Sequence, residues 1–401
     1  MSLLLEGVRV LDLTNVISGP LCSYQLGMLG AEVIKIEVPR RGDLARGMGC
    51  DSELIAAQMG DSFCAINAGK KSITLNLKDD EGRRIFKALV ETADVVLENF
   101  RPGVMKKLGL DWETLKDINP GLVYCAISGF GQEGPLAGRP SYDQIIQGFC
   151  GIMSVTGEKE GGPTRAGYVV CDTMAAVTGA FAICAALVKK GKSGRGEMID
   201  VSMLDASLAS MATWMISNLV NGGMAPARLG NHNPSGSPSG TFRTGDGMLN
   251  IATNEQKQFD ALCDCLGLAE VKAAERFRGR ENRIEHREEL QLLVEGALAS
   301  MSAREWEVIF SKAGVPAGPV LSISEALEHP QVRSRELMKR FDSVGGLDRP
   351  ISVTRLGFHL ESGNPDVSSP PPRLGQDTAR ILGALGLSPE RLEELASRGV
   401  I

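Results

Sequence analysis

A chain of 401 residues exceeds one ordinary domain and leaves room for two or three. Hydrophobic residues at 43% and charged residues at 23% are the values of a globular protein with a large core. The net charge of −6 argues against a general nucleic-acid binder, which would carry a basic excess, but leaves room for a local basic groove that takes a small phosphorylated ligand.

The apolar, β-rich run Val8 to Thr14 predicts a first strand. Ser18-Gly19-Pro20 follows, with a helix over Leu21 to Leu29 stopped by Gly30. Ala31 to Glu37 predicts a second strand, which completes a strand-helix-strand unit and seeds a parallel sheet. The pattern repeats: a helix opens at Asp79-Asp80, a strand covers Asp94 to Glu98, a helix spans Trp112 to Ile118 and a strand covers Leu122 to Ser128. A long apolar helix is expected from Asp172 to Lys190, then a strand over Met198 to Met203 and a helix from Leu204 to Val220. Residues 221–247, rich in Gly, Pro, Asn and Ser, read as a loop or domain boundary. A smaller unit follows, with helices near 255–266, 287–300 and 303–313. A Pro- and Ser-rich extended tail over 361–375 precedes a last helix at 377–385.

The opening MSLLLEGVRV shows no charged leader ahead of an apolar run with a cleavage site, so no secretory signal is expected. The longest apolar stretch, Met174 to Val188, falls short of the roughly 20 residues of a membrane span. Nine cysteines scattered through apolar stretches read as buried, reduced thiols. Cys263 and Cys265 lack the second pair that a metal site would need, and no metal is expected. The expectation is a soluble, cytoplasmic protein with neither a membrane nor a nucleic-acid partner.

Gly129 to Gly134 matches G-x-G-x-x-G after a strand, but Pro135, Gly138 and Pro140 break the helix that a dinucleotide fingerprint must open. Basic residues are more suggestive. Lys70, Lys71, Lys78, Arg101, Lys106, Lys107 and Arg139 sit at or near strand ends, where open parallel sheets bind ligands and where phosphates would want cations. Asp172 opens an apolar helix; it reads either as a favoured N-cap or as a carboxylate held ionised by the helix terminus. His232, His286, His329 and His359 all lie outside the part of the sheet domain assigned to the ligand. No G-x-S-x-G or H-E-x-x-H motif occurs, which disfavours serine-histidine and zinc hydrolysis.

Several segments together resemble the family III CoA-transferases, in that family's order over nearly the whole chain: LEGVRVLDLT, SGP, LGAEVIKIEVPRRGD, NAGKKSITLNLK, ENFRPGVMKKLGL, YCAISGFGQEGP and GYVVCDTMAAVTGA, then GRGEMIDVSMLDA, AGVPAGPV, HPQVRSR and PPPRLGQDTARIL. The resemblance implies that Asp172 is the nucleophile, forming a mixed anhydride and then an aspartyl-CoA thioester. It places coenzyme A against Val16, Ile17 and Ser18; Leu75, Asn76 and Lys78; Asn99, Phe100 and Arg101; Lys107; and Tyr142, to which the basic-residue reading adds Arg139. Formyl-CoA transferases have glutamine at Ile17 and often arginine at Val38, and their glycine-quartet loop has no counterpart in 230–247. The pattern is closer to members that use succinyl-CoA with small dicarboxylates such as itaconate, mesaconate, citramalate or glutarate. The α-methylacyl-CoA racemases share the fold but place a proton-transferring histidine where Tyr142 stands; a tyrosine, with a pKa near about 10, is a poor substitute. A CoA-binding protein without turnover is the other alternative. The implied structure is α/β: an open, parallel-sheet, Rossmann-like large domain over 1–220, completed by 331–401, and a smaller α+β domain over 221–330. Members of the family form interlocked homodimers.

Overall fold

The computed structural model describes residues 3–223, 228–361 and 363–401. Parts of the expected 221–247 loop and 361–375 tail lie outside the described residues. The chain divides into two units. One comprises Met1–Gly151, Ala166–Ala212 and Arg333–Ile401; the other comprises Ile152–Arg165 and Thr213–Val332.

The first unit is built on a six-stranded sheet: β1 (Arg9–Asp12), β2 (Glu32–Glu37), β3 (Lys71–Thr74), β4 (Val95–Glu98), β5 (Val123–Ser128) and β6 (Glu197–Ser202). The order is β3-β2-β1-β4-β5-β6, and every neighbouring pair is parallel. Strands covered on both faces read as nearly continuous apolar runs, and every residue of β4 and β5 is buried. The order reverses between β1 and β4, which opens a crevice beyond the carboxyl ends of the strands. Helices Ser18–Met28 and Val170–Ser193 cover one face. A Cβ on Gly179 would lie 3.2 Å from Cys22 Sγ and 3.3 Å from Ile127 Cδ1, so glycine sets how closely this layer packs. On the other face Phe86, Leu89 and Leu115 share a core with Leu11, Ile34, Ile73, Val96 and Tyr124. Ile381, Leu382 and Leu395 of the C-terminal helices complete it, and the Asn76 N–H donates to the Val400 carbonyl at 2.7 Å.

Several elements differ from expectation. β3 falls in the lysine-rich KKSITLNLK segment, where the sequence pattern predicts no strand. The helix expected over 204–220 is broken into Met203–Ser210 and Ala212–Val220, and the boundary between the units falls there, not in the Gly/Pro-rich stretch after it. Residues 152–165, assigned by sequence to the large domain, group with the second unit because their backbone bonds there: Arg228 Nη2 donates to the Gly161 carbonyl at 2.8 Å, and Gly230 N–H to the Gly157 carbonyl at 3.0 Å. The 24-residue helix Val170–Ser193 extends beyond the apolar stretch measured in the sequence and is long and apolar enough to cross a membrane by length and composition. Within its unit it packs on Ser18–Met28, β5 and β6 through Cys171, Ala175, Ala176, Gly179, Ala180, Ile183 and Ala186.

The second unit is α+β. An antiparallel sheet of β7 (Ser239–Arg243), β8 (Met248–Ala252) and β9 (Ala317–Pro319) packs with helices around Phe242, Phe259, Phe277 and Phe310. β7 lies inside the segment expected to be loop.

Candidate active site

The crevice is organised by a buried polar cluster beneath the β1 and β2 ends. Asp12, Glu37 and Asp43 face Lys35, Arg46 and Lys70, so the charges cancel, and all six are buried. Asp12 Oδ1 accepts from the Thr14 N–H at 2.9 Å and the Thr14 hydroxyl at 2.5 Å; Oδ2 accepts from the Ser23 hydroxyl at 2.6 Å and Lys70 Nζ at 3.0 Å. Burial works to raise the Asp12 carboxyl, but Lys35, Lys70 and the two hydroxyls outweigh it and hold it well below the usual carboxylate range.

This cluster shapes the loop after β1. Lys35 Nζ donates to the Thr14 carbonyl at 2.7 Å, and Asp43 Oδ1 accepts from the Val16 N–H at 3.0 Å. Asn99 at the β4 end clamps Asn15 from both sides, accepting from its N–H at 2.9 Å and donating to its carbonyl at 2.8 Å. These ties hold Val16 at φ 70°, left-handed backbone that a β-branched residue rarely adopts and that costs about 1–3 kcal/mol. The strain leads straight into Ser18, the first residue of its helix. A Cβ on Gly19 would lie 2.2 Å from Thr14 Cγ2, so the next position must be glycine.

Asp172 is not a helix cap. The helix begins at Val170, its N-cap Val169 makes no side-chain bond, and Asp172 stands third in the first turn. The capping acceptor comes from another helix, Asp143–Phe149: Asp143 Oδ1 accepts from the N–H groups of Cys171 at 2.8 Å and Asp172 at 3.3 Å. Gln147 Nε2 holds Asp143 Oδ2 at 2.5 Å. The Asp172 carboxyl is therefore not occupied by capping and is half-buried. Burial raises its pKa, the negative charge of Asp143 raises it further, and the hydroxyl and backbone N–H of Ser18 oppose both; the outcome is about 6.

Two adjoining recesses share Asn15, Val38, Arg41 and Phe100. The smaller, about 410 Å³, is lined by Asp172 together with Val16, Ile17, Ser18, Asn99, Phe100, Arg101, Arg139 and Tyr142. The larger, about 640 Å³, is lined by Leu75, Asn76 and Lys78 along with Phe100. Of the predicted contacts, Lys107 lines neither recess; it is exposed on the short helix Val104–Leu108, whose Val104 and Leu108 line the larger one. Arg40, Arg41, Lys78, Arg101 and Arg139 are exposed around the recesses, with no ion-pair partner among the described residues.

Two basic residues read as phosphate contacts are not placed for that role. Lys70 is buried, donating to Asp12, the Pro20 carbonyl and Asn67 Oδ1. Lys71 begins β3 at the opposite, amino end of the sheet and pairs with Glu32. Sequence reasoning also passed over Arg40 and Arg41, although they stand in the quoted PRRGD run, and Arg398, which lines the larger recess from the far end of the chain. Asp43 and Asp143 carried no sequence signal, because their partners are remote. After Gly129–Gly134 the chain runs through turns to the helix at Asp143, so no helix opens at the G-x-G-x-x-G run. No group of three or more metal-binding side chains occurs among the described residues.

An open parallel sheet with a cation-rimmed crevice at its switch point, and a half-buried carboxylate beside it, fits an enzyme that handles a phosphorylated carrier. The family model for CoA-transferase family III matches residues 5–378, and the chain belongs to that family. It is 37% identical over 392 residues to succinate–glutarate CoA-transferase of Agrobacterium fabrum, covering 95% of each chain. It is 39% identical over 359 residues to acetyl-CoA:oxalate CoA-transferase of Acetobacter aceti, covering 87% of this chain and 89% of that one. The crystal structure of a CAIB/BAIF family protein from Brucella suis superposes with a TM-score of 0.85 at 34% identity, covering 96% of this chain and 100% of that one. The protein is thus a CoA-transferase whose substrates are acyl-CoA and free carboxylic acids.

Proposed function

We propose that the enzyme moves CoA from succinyl-CoA to a small dicarboxylic acid through covalent intermediates on Asp172. The observation that carries this reading is the Asp172 carboxyl, free of structural bonds to the helix it stands on, in a recess that adjoins a cation-rimmed one. The relatives support the substrate class: besides the succinate–glutarate enzyme, the chain is 34% identical to succinyl-CoA:mesaconate CoA-transferase of Haloarcula hispanica.

In this mechanism the larger recess takes the nucleotide end of CoA, with Arg40, Arg41 and Lys78 available to its phosphates. The Asp172 carboxylate attacks the thioester carbonyl and expels CoA thiolate, leaving a mixed anhydride. The thiolate attacks the aspartyl carbonyl and expels the donor acid, leaving an aspartyl-CoA thioester. The acceptor carboxylate then attacks that thioester, expelling the thiolate, which takes the acceptor acyl group and releases the Asp172 carboxylate. Covalent catalysis replaces one hard exchange by easier steps. With a pKa of about 6, Asp172 is roughly 90% ionised at pH 7 without any general base. A panel of acceptors (glutarate, mesaconate, citramalate, oxalate) with succinyl-CoA and acetyl-CoA as donors tests the reading; no exchange with any pair would remove it.

The pH dependence follows with a definite sign. The ionised form is the nucleophile, so kcat should be flat above pH 7 and fall towards tenfold per unit below pH 6. Asp143→Asn keeps an oxygen acceptor for the helix but deletes the like charge, and should move the break to lower pH. A profile with its break unchanged in Asp143→Asn would show that the charge does not act on Asp172.

We also propose an interlocked homodimer, with the cytoplasm as its setting, which the nine free thiols favour. Val177, Phe181 and Val188 are exposed on the Val170–Ser193 helix, and burial against a second copy would account for them. Differently tagged pools, mixed while folded, should form no mixed dimers; rapid exchange or a monomer by light scattering would contradict this.

A further inference from the structure

We infer that the Ser128 hydroxyl is a substrate-binding donor that holds an oxygen of the acyl group in transfer. Ser128 ends β5 and lines the same recess as Asp172, yet it is only 8% exposed. Its Oγ is buried and has no hydrogen-bond partner among the described residues. Among other buried serines of this unit, Ser23 donates to Asp12, Ser72 to Glu37, and Ser202 accepts from the Asp205 N–H; Ser207 Oγ is also unpaired but does not line the recess. A buried hydroxyl left unpaired costs about 1–3 kcal/mol, a cost that an arriving acceptor would relieve.

The backbone around Ser128 leaves it little freedom to find a partner elsewhere. Ser128 pairs with Ser202 in the β5–β6 ladder, and the Gly129 carbonyl accepts from the Leu204 N–H at 3.1 Å. A Cβ on Gly129 would lie 1.7 Å from Ser141 Oγ, so the chain leaving the strand is wedged against the returning loop. Ile17, Ile127 and Met203 line the same recess and offer no competing side-chain hydrogen bond. For Asp172 to attack, the acyl carbon must enter this recess. The acceptors that it brings are the thioester oxygen and, for a dicarboxylic acyl group, the distal carboxylate.

This inference rests on the CoA-transfer reading above, and the test separates the two. Ser128→Ala and Ser128→Thr are compared with wild type for exchange from succinyl-CoA, with melting temperatures measured alongside. Ser128→Ala should lose about tenfold to a hundredfold in kcat/KM, the loss expected for one buried hydrogen bond, at a melting temperature equal to or above that of wild type, since the unpaired hydroxyl is removed. Ser128→Thr, which keeps the hydroxyl, should recover most of it. A loss confined to kcat assigns the hydroxyl to the thioester oxygen, where charge develops; a rise confined to KM assigns it to the distal carboxylate. Ser128→Ala within twofold of wild type, or a loss that threonine does not restore, would overturn the inference while leaving CoA transfer standing. A wild-type enzyme without exchange would remove both.

Discussion

Asp172→Asn should bind CoA as tightly as wild type and lose exchange by about 10⁴-fold or more, since a covalent nucleophile has no substitute. Asparagine is nearly isosteric, and the helix keeps its cap because that cap belongs to Asp143. The same variant should melt at a higher temperature than wild type at pH 8. The sign follows from the raised pKa: a carboxyl at about 6 when folded, and near 3.8 otherwise, ionises less readily in the fold, so its charge destabilises the native state. That penalty is fully present above pH 6 and fades as the pH falls towards 4, so the gap in melting temperature should close over that range. A variant that retains transfer, after a check that the asparagine has not deamidated, would exclude the aspartyl mechanism. A wild-type protein that melts above the variant at pH 8 would show that Asp172 is stabilised in the fold, not held at a cost.

Lys70→Ala should cost about 3–5 kcal/mol of stability, because it removes one of the two lysines that balance the buried Asp12 and leaves the cluster with a net negative charge. Burial and the neighbouring Lys35 pull the Lys70 ammonium down to about 8 against the attraction of Asp12. Removing it also strips a donor from the Pro20 carbonyl and from Asn67. Asp12 positions Thr14 and Ser23, so the damage should reach the Val16–Ser18 loop. Lys78→Ala should behave in the opposite way: nearly unchanged melting, and weaker CoA binding with a shallower salt dependence, since Lys78 is exposed on the recess. Denaturant melts with CoA titrations separate the two. Lys70→Ala with wild-type stability and lost CoA affinity would restore the phosphate role.

The contrast between these lysines shows what sequence can convey. The apolar strands flanked by glycine and proline were legible because burial on both faces leaves a continuous hydrophobic run, as in VVLE and VYCAIS. β3 was not, since Lys71 and Ser72 engage Glu32 and Glu37 and therefore look like surface residues. A neutralised buried cluster and a phosphate-binding rim are both lysines and arginines near strand ends; only the fold separates Lys70 from Lys78. Asp172 could be singled out, but its helix starts two residues earlier than expected because Val170 and Cys171 read as the end of an apolar run. That Asp143 supplies the cap depends on packing between two helices, which local sequence does not encode. Arg398 reaches the larger recess because the C-terminal segment returns to β3, a long-range contact with no local signal.

The most direct test of the account is to capture the intermediate. Enzyme incubated with succinyl-CoA and no acceptor, then quenched with hydroxylamine, should carry a hydroxamate at Asp172, located by peptide mass spectrometry. The modification should require the acyl-CoA and be missing from Asp172→Asn. A hydroxamate on a different carboxylate, or an unmodified Asp172 in enzyme that is turning over, would contradict the assignment of Asp172 as the nucleophile.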